Sequence, residues 1–286
     1  MIPRFTPAMP PARLAQSQRA FSRFELLVAV AILLVLIAIA IPVYNAIRER
    51  AHKQVAMEKM RILGGALLTF ANQNAGVLPA EDTDGPDSWD NIAKPAAKDA
   101  WYNALPRLAN RKAAADFANT PSAFYTDENI LFLPGANYPD KKKVLEPLFA
   151  IAFNTKLQRN DETGVAQRAR MDQITVPAKT VGLLEKGVLN EKRTLEVQTK
   201  KDYDGSPKGS AKSFVGRYGG KGHLFFLDGR VELVSAKELL SETGQFPFPQ
   251  TDVIWTPTPE ENPNKTGEEI SAKQKAKDKG KDKAAE

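Results

Sequence analysis

Few side chains in this sequence could do chemistry, and the most pointed is Glu25, a carboxylate one position ahead of an uncharged apolar run at 26–43, LLVAVAILLVLIAIAIPV. An ionised carboxylate deep in lipid costs roughly 2.5–3.5 kcal/mol, and less near a helix end, so an acid here either snorkels to headgroups or meets a cation. A second acidic group, Glu81-Asp-Thr-Asp-Gly-Pro-Asp87, offers Asp82, Asp84 and Asp87 as oxygen ligands for calcium. Its glycine is misplaced for an EF-hand, and a solvated turn accounts for the same residues. The glycine-rich stretch 216–223 contains Gly220-Lys221 but lacks phosphate-loop spacing, so a backbone loop before a strand suffices. Asp228, followed by Gly229, is a turn former before it is a ligand or catalytic acid. The chain has no cysteine and only His52 and His223, which removes thiolate chemistry and disfavours a multi-histidine metal centre. No serine, histidine and acid arrangement stands out. These residues describe a protein that is not an enzyme and needs no cofactor, calcium being the one metal its acids suggest.

The elements that position these groups begin with the apolar run, about 27 Å long as a helix and without a polar face, hence a bilayer-spanning segment. Past Pro42 the pattern turns amphipathic, with Ile47, Ala51, Val55, Ile62, Ala66 and Phe70 on one stripe and Leu63 and Leu67 beside it. One long helix should therefore run from about 24 to 71 or 74 and stop near Gly76 and Pro79, with Pro42 as a place where it kinks. Helical patches are expected at 98–109 and 111–118, and strands at 130–133, 149–153, 180–185, 194–197, 223–227 and 230–234. The last two flank Asp228-Gly229 as a two-residue type I′ hairpin in which Phe226 opposes Val231 and Leu224 opposes Leu233. That places four apolar side chains on one face for the long helix.

The net charge of +6 is not gathered into a patch with interleaved aromatics, so a nucleic-acid partner is not expected. Part of the excess lies in the first twenty residues and part in a lysine-rich end. The segment 256–286 is rich in proline and charge and reads as a disordered tail.

Ala20-Phe21-Ser22-Arg23-Phe24-Glu25-Leu26-Leu27 resembles a prepilin processing site, with Pro42 and Tyr44 in the matching register further on. The resemblance implies that a prepilin peptidase cuts between Ala20 and Phe21, and that the freed, commonly methylated amine of Phe21 pairs with Glu25 of a neighbouring subunit. The family usually has glycine before the cut, where this chain has Ala20. Gly216-Arg-Tyr-Gly-Gly-Lys-Gly-His-Leu-Phe-Phe-Leu-Asp-Gly-Arg-Val231 resembles the C-terminal motif of large pseudopilin-like proteins: a histidine, nine residues, then Asp-Gly. Tyr218 holds the histidine place here, and Asp228 and Gly229 keep the spacing.

The family reading implies an α+β, pilin-like fold in which a long N-terminal helix, transmembrane then amphipathic, packs on a small mainly antiparallel sheet. The segments are a cytoplasmic leader at 1–20, a transmembrane or filament-core helix at 21–43, an amphipathic helix at 44–74, a globular domain at 75–255 and the tail at 256–286. The implied function is a pseudopilin subunit of a type II secretion or type IV pilus-like filament in the inner membrane, with its N-terminus cytoplasmic and its domain extracytoplasmic. Its partners would be the prepilin peptidase, other pseudopilin subunits and the inner-membrane assembly platform. Two rivals stand beside it. One is a singly anchored extracytoplasmic binding or hydrolytic domain using the same export route. The other is ordinary signal peptidase cleavage after Ala38-Ile39-Ala40, which Pro42 and the leading glutamate fit poorly.

Overall fold

The computed structural model describes residues 22–83, 87–140, 142, 145–160 and 166–265. The chain divides into two compact units, Met1–Arg48 and Glu49–Glu286. Helix α1, Arg23–Gln73, contributes to both and contains Pro42. Its apolar side chains up to Ile47 are exposed, and it is long and apolar enough to cross a membrane, in keeping with a single-pass anchor. The helix ends as the sequence suggests: Ala75 and Gly76 take left-handed conformations, and the Gly76 N–H donates to Ala71 O at 2.8 Å.

Within the second unit α1 buries Ala56, Met60, Leu63, Leu67 and Phe70, spaced four and three apart. The expected stripe holds in its second half, where Ala66 and Phe70 are buried with Leu63 and Leu67, and departs before it: Ile62 is half-buried, and Val55 and Ala51 face outward. This helix carries apolar residues on more than one face, so periodicity alone leaves several stripes open, and packing on the sheet selects one.

Three short helices follow, α2 (Trp89–Ile92), α3 (Trp101–Leu108) and α4 (Pro121–Phe124). The helix expected at 111–118 is reduced to a 3-10 turn, Ala114–Phe117. The strands are β1 (Ile151–Asn154), β2 (Arg159–Asn160), β3 (Ala166–Gln167), β4 (Val181–Glu185), β5 (Lys208–Gly209), β6 (Lys221–Phe226) and β7 (Val231–Ser235). β2 and β3 pair alone; the others form one sheet in the order β5-β1-β4-β6-β7, with β5 parallel to β1 and the other pairs antiparallel. The architecture is α+β with a mixed five-stranded sheet.

Ile151, Phe153, Leu183 and Phe225 face the core shared with α1, while Ala152, Leu184, Leu224 and Phe226 face a second core with Phe214, Leu239 and Trp255. Both faces are covered, which accounts for strands that read as continuous apolar runs.

Two expected strands do not form. At 130–133 the backbone is held by side chains: Lys59 Nζ donates to Asn129 O and Phe132 O, and the Leu131 N–H donates to Asn129 Oδ1. At 194–197, Gln198 Oε1 accepts from the Thr194 and Leu195 N–H groups. Local side-chain bonds thus take the place of a ladder.

The hairpin forms where expected but one residue out of register: Phe225 opposes Val231, Leu224 opposes Glu232 and His223 opposes Leu233. Asp228 keeps negative φ, unlike a type I′ centre, and Gly229 alone is left-handed at φ 99°. Phe226 O accepts from the Gly229 N–H and the Phe226 N–H donates to Arg230 O, which makes a three-residue loop. The extra residue turns Phe225, not Leu224 and Phe226, towards α1.

The first part of the expected disordered tail, 256–265, lies on the domain. Gln250 Nε2 donates to Thr256 Oγ1 and Glu261 O, and Asn264 exchanges two hydrogen bonds with the Phe246 backbone.

Candidate functional site

The residues with expected roles fall in separate places. Ala20 and Phe21, the expected processing pair, lie outside the described residues. Ser22 and Glu25 bond reciprocally at the mouth of α1: the Ser22 N–H donates to Glu25 Oε2 at 2.8 Å, and the Glu25 N–H donates to Ser22 Oγ at 3.1 Å. This is a capping box, which satisfies two amides that a helix start otherwise leaves orphaned. Its sequence signal, Ser-x-x-Glu before an apolar run, is present at 22–25, where the place of Glu25 at the head of a membrane-length segment gives the same residue a second explanation. Pro42 and Tyr44 sit exposed within α1.

Tyr218 and Asp228 are held apart by strand β6, six residues or about 20 Å of extended chain, so their sequence spacing does not make a common site. Tyr218 is buried: its Oη donates to His52 O at 3.4 Å, and its ring lies 5.5 Å from that of His223. Burial and then Glu185 push its hydroxyl well above the ordinary tyrosine range. Asp228 is at the exposed hairpin tip, where Oδ1 accepts from the Arg230 N–H, and Gly229 supplies the left-handed turn.

Asp82 turns inward: Oδ1 accepts from Tyr102 Oη at 3.3 Å, and Oδ2 is 3.1 Å from Lys208 Nζ. A lysine ammonium thus stands where a cation would. Asp84 lies outside the described residues, and among the described residues no group of three potential ligands converges as a metal site.

The densest polar constellation joins β4 to the loop before β6. Arg217 donates to Glu185 Oε2 at 2.8 Å and to both oxygens of Glu191 at 2.7 Å, while His223 Nδ1 lies 2.5 Å from Glu185 Oε1. The His223 N–H also donates to Glu185 Oε1. The side chains of Glu185, Arg217 and His223 are 0, 4 and 2% exposed. Burial weakens the guanidinium's hold on its proton, but Glu191 and Glu185 more than offset it and raise Arg217 above its usual value. Buried and joined through Glu185, the group fixes the Gly216–Gly222 backbone against β4 instead of presenting a reactive atom to solvent. Its signal in the sequence is a charged residue, Glu185, ending the apolar run of β4.

No protein-family model matches the chain, and neither curated proteins nor solved structures show a match to it.

Proposed function

We propose that this chain is a structural pseudopilin, a subunit of a type II secretion or type IV pilus-like filament, inserted through α1 with its N-terminus cytoplasmic and its second unit extracytoplasmic. The observation that carries the reading is the exposed apolar stretch of α1 headed by Glu25, a surface that must be covered by lipid or by other apolar helices. In this reading the prepilin peptidase cuts between Ala20 and Phe21, and copies of the helix, delivered by the inner-membrane assembly platform, pack together with the α+β unit outward. The work is mechanical and calls for no cofactor. The experiment is N-terminal sequencing of the protein from membranes, with cysteine cross-linking along 26–43. Phe21 as first residue together with helix-to-helix cross-links supports the proposal. A start at Ile41, or retention of the first twenty residues, overturns it.

The second reading, a singly anchored binding or hydrolytic domain, is favoured by one observation: Ser22 and Glu25 already satisfy each other within one chain. A carboxylate engaged as a cap needs no partner subunit to explain it.

A further inference from the structure

The segment between β4 and β5 runs for more than twenty residues without a helix or strand. Loops beyond about 12–15 residues without secondary structure of their own are mostly functional or disordered. This one is fastened from inside. Gln198 is buried; its Oε1 accepts from the Thr194 and Leu195 N–H groups and from Tyr203 Oη, and its Nε2 donates to Lys212 O and Phe214 O. Both ends are pinned by ions: Lys186 Nζ lies 2.7 Å from Asp204 Oδ1, and Glu191 takes two bonds from Arg217.

The same bonds use up the loop's acids. Glu191 is spent on Arg217, Asp204 on Lys186, and Asp202 Oδ2 accepts from the Thr199 N–H and Oγ1. Lys192, Arg193, Lys200, Lys201 and Lys212 are exposed and, among the described residues, have no carboxylate within ion-pair distance; Glu196 is the acid left over. Beside them opens a cleft of about 560 Å³ lined by Lys192, Arg193 and Lys200 together with Leu189 and Leu195, with Tyr203, the Arg217-paired Glu191 and Glu196 also on its wall, so among the described residues its free cations outnumber its free acid three to one. A smaller one of about 290 Å³, lined by Lys201, Lys212, Asp202, Val197 and Leu240, lies along the loop's other stretch.

We propose that this loop is a docking surface for an acidic peptide segment of a partner protein, its carboxylates meeting Lys192, Arg193 and Lys200 and its apolar side chains entering beside Leu189 and Leu195. A rigid platform with unspent cations loses little freedom on binding, the condition under which a small charged surface gains affinity. The excess of free cations beside Leu189 and Leu195 matches a peptide with acidic and aliphatic residues, whose carboxylates would avoid Glu196. Nucleic acid fits less well, because Tyr203, the aromatic ring of the larger cleft, is buried and offers no face for base stacking. The inference does not depend on the filament reading.

The test uses the full chain in nonionic detergent and a fluorescein-labelled decapeptide of alternating glutamate and leucine, followed by anisotropy at two salt concentrations. The charge-reversed variant Lys192→Glu/Arg193→Glu/Lys200→Glu should bind at least tenfold more weakly. A control with Lys98→Glu/Lys142→Glu/Lys237→Glu, the same change in net charge placed elsewhere, should bind like the parent, and binding should weaken at higher salt. Equal loss in both variants, no binding by the parent, or stronger competition by an oligonucleotide or polygalacturonate than by unlabelled peptide would each overturn the proposal. Unchanged thermal melting of the first variant excludes unfolding as the cause.

Discussion

The ring of Phe225 occupies the space that a side chain at Gly64 would need: a Cβ there would lie 2.0 Å from Cε2 and 2.2 Å from Cδ2. One glycine on α1 and one ring on β6 thereby set how closely helix and sheet approach. At Gly65, one position on, a Cβ meets nothing within 4 Å.

Neighbouring glycines should therefore respond oppositely to one substitution. Gly64→Ala is expected to destabilise the domain by about 1–3 kcal/mol through overpacking. Gly65→Ala should stabilise it by about 0.5–1 kcal/mol through helix propensity. Urea denaturation of both variants checks this; a stabilised Gly64→Ala would mean that the helix sits further from the sheet.

Arg217→Met should cost about 3–5 kcal/mol, because it strands two buried carboxylates, Glu185 and Glu191, without their cation. Differential scanning calorimetry reads the loss. Removing the charges together, as Glu185→Gln/Glu191→Gln/Arg217→Met, is expected to recover part of it, and a triple variant no better than the single one would contradict the account.

Burial raises Glu81 to about 7, with Asp82 adding to it and Lys208 opposing, and burial followed by Asp82 raises Asp87 to about 6. A carboxyl raised above its unfolded value binds more protons when folded, so its contribution is present at acid pH and is lost as pH climbs through the folded value. Melting temperature followed from pH 4 to 8 should thus contain a falling component that Glu81→Gln/Asp87→Asn removes. Parallel curves for parent and variant would refute it.

Glutamine serves as well as glutamate at the third position of a capping box, so Glu25→Gln separates cap from charge. Under the filament reading this variant keeps a helical α1 by circular dichroism in micelles yet loses assembly, whereas Ser22→Ala mainly frays the first turn. Full assembly by Glu25→Gln would leave the carboxylate with no role beyond capping.

Lys59 Nζ donates to Asp127 O, Asn129 O and Phe132 O, tying the 127–132 turn to α1, and burial lowers its hold on its proton while Asp127 restores part. Lys59→Met should destabilise by roughly 1–3 kcal/mol, the cost of leaving buried acceptors without a donor. Amide hydrogen exchange should show faster opening at 129–133.

Local chemistry made much of this protein legible in its sequence. The uncharged run at 26–43 needs no context to be read as a membrane-length helix, and the left-handed requirement at Gly76 and Gly229 marks a helix end and a turn wherever those residues fall. The cores of β1, β4, β6 and β7 were visible as short apolar runs. What the tertiary structure decided were choices between local solutions of nearly equal energy. A two-residue and a three-residue loop both suit Asp228-Gly229, yet they send opposite faces of β6 to the helix. Several stripes of α1 are apolar, and the fit of Phe225 at Gly64 chose among them. The apolar pieces at 130–133 and 194–197 looked like strands, but Lys59, Asn129 and Gln198 reached their backbones first. Glu185 and Arg217 stand 32 positions apart, and no periodicity links two residues that meet only when β4 and the loop before β6 are folded against each other.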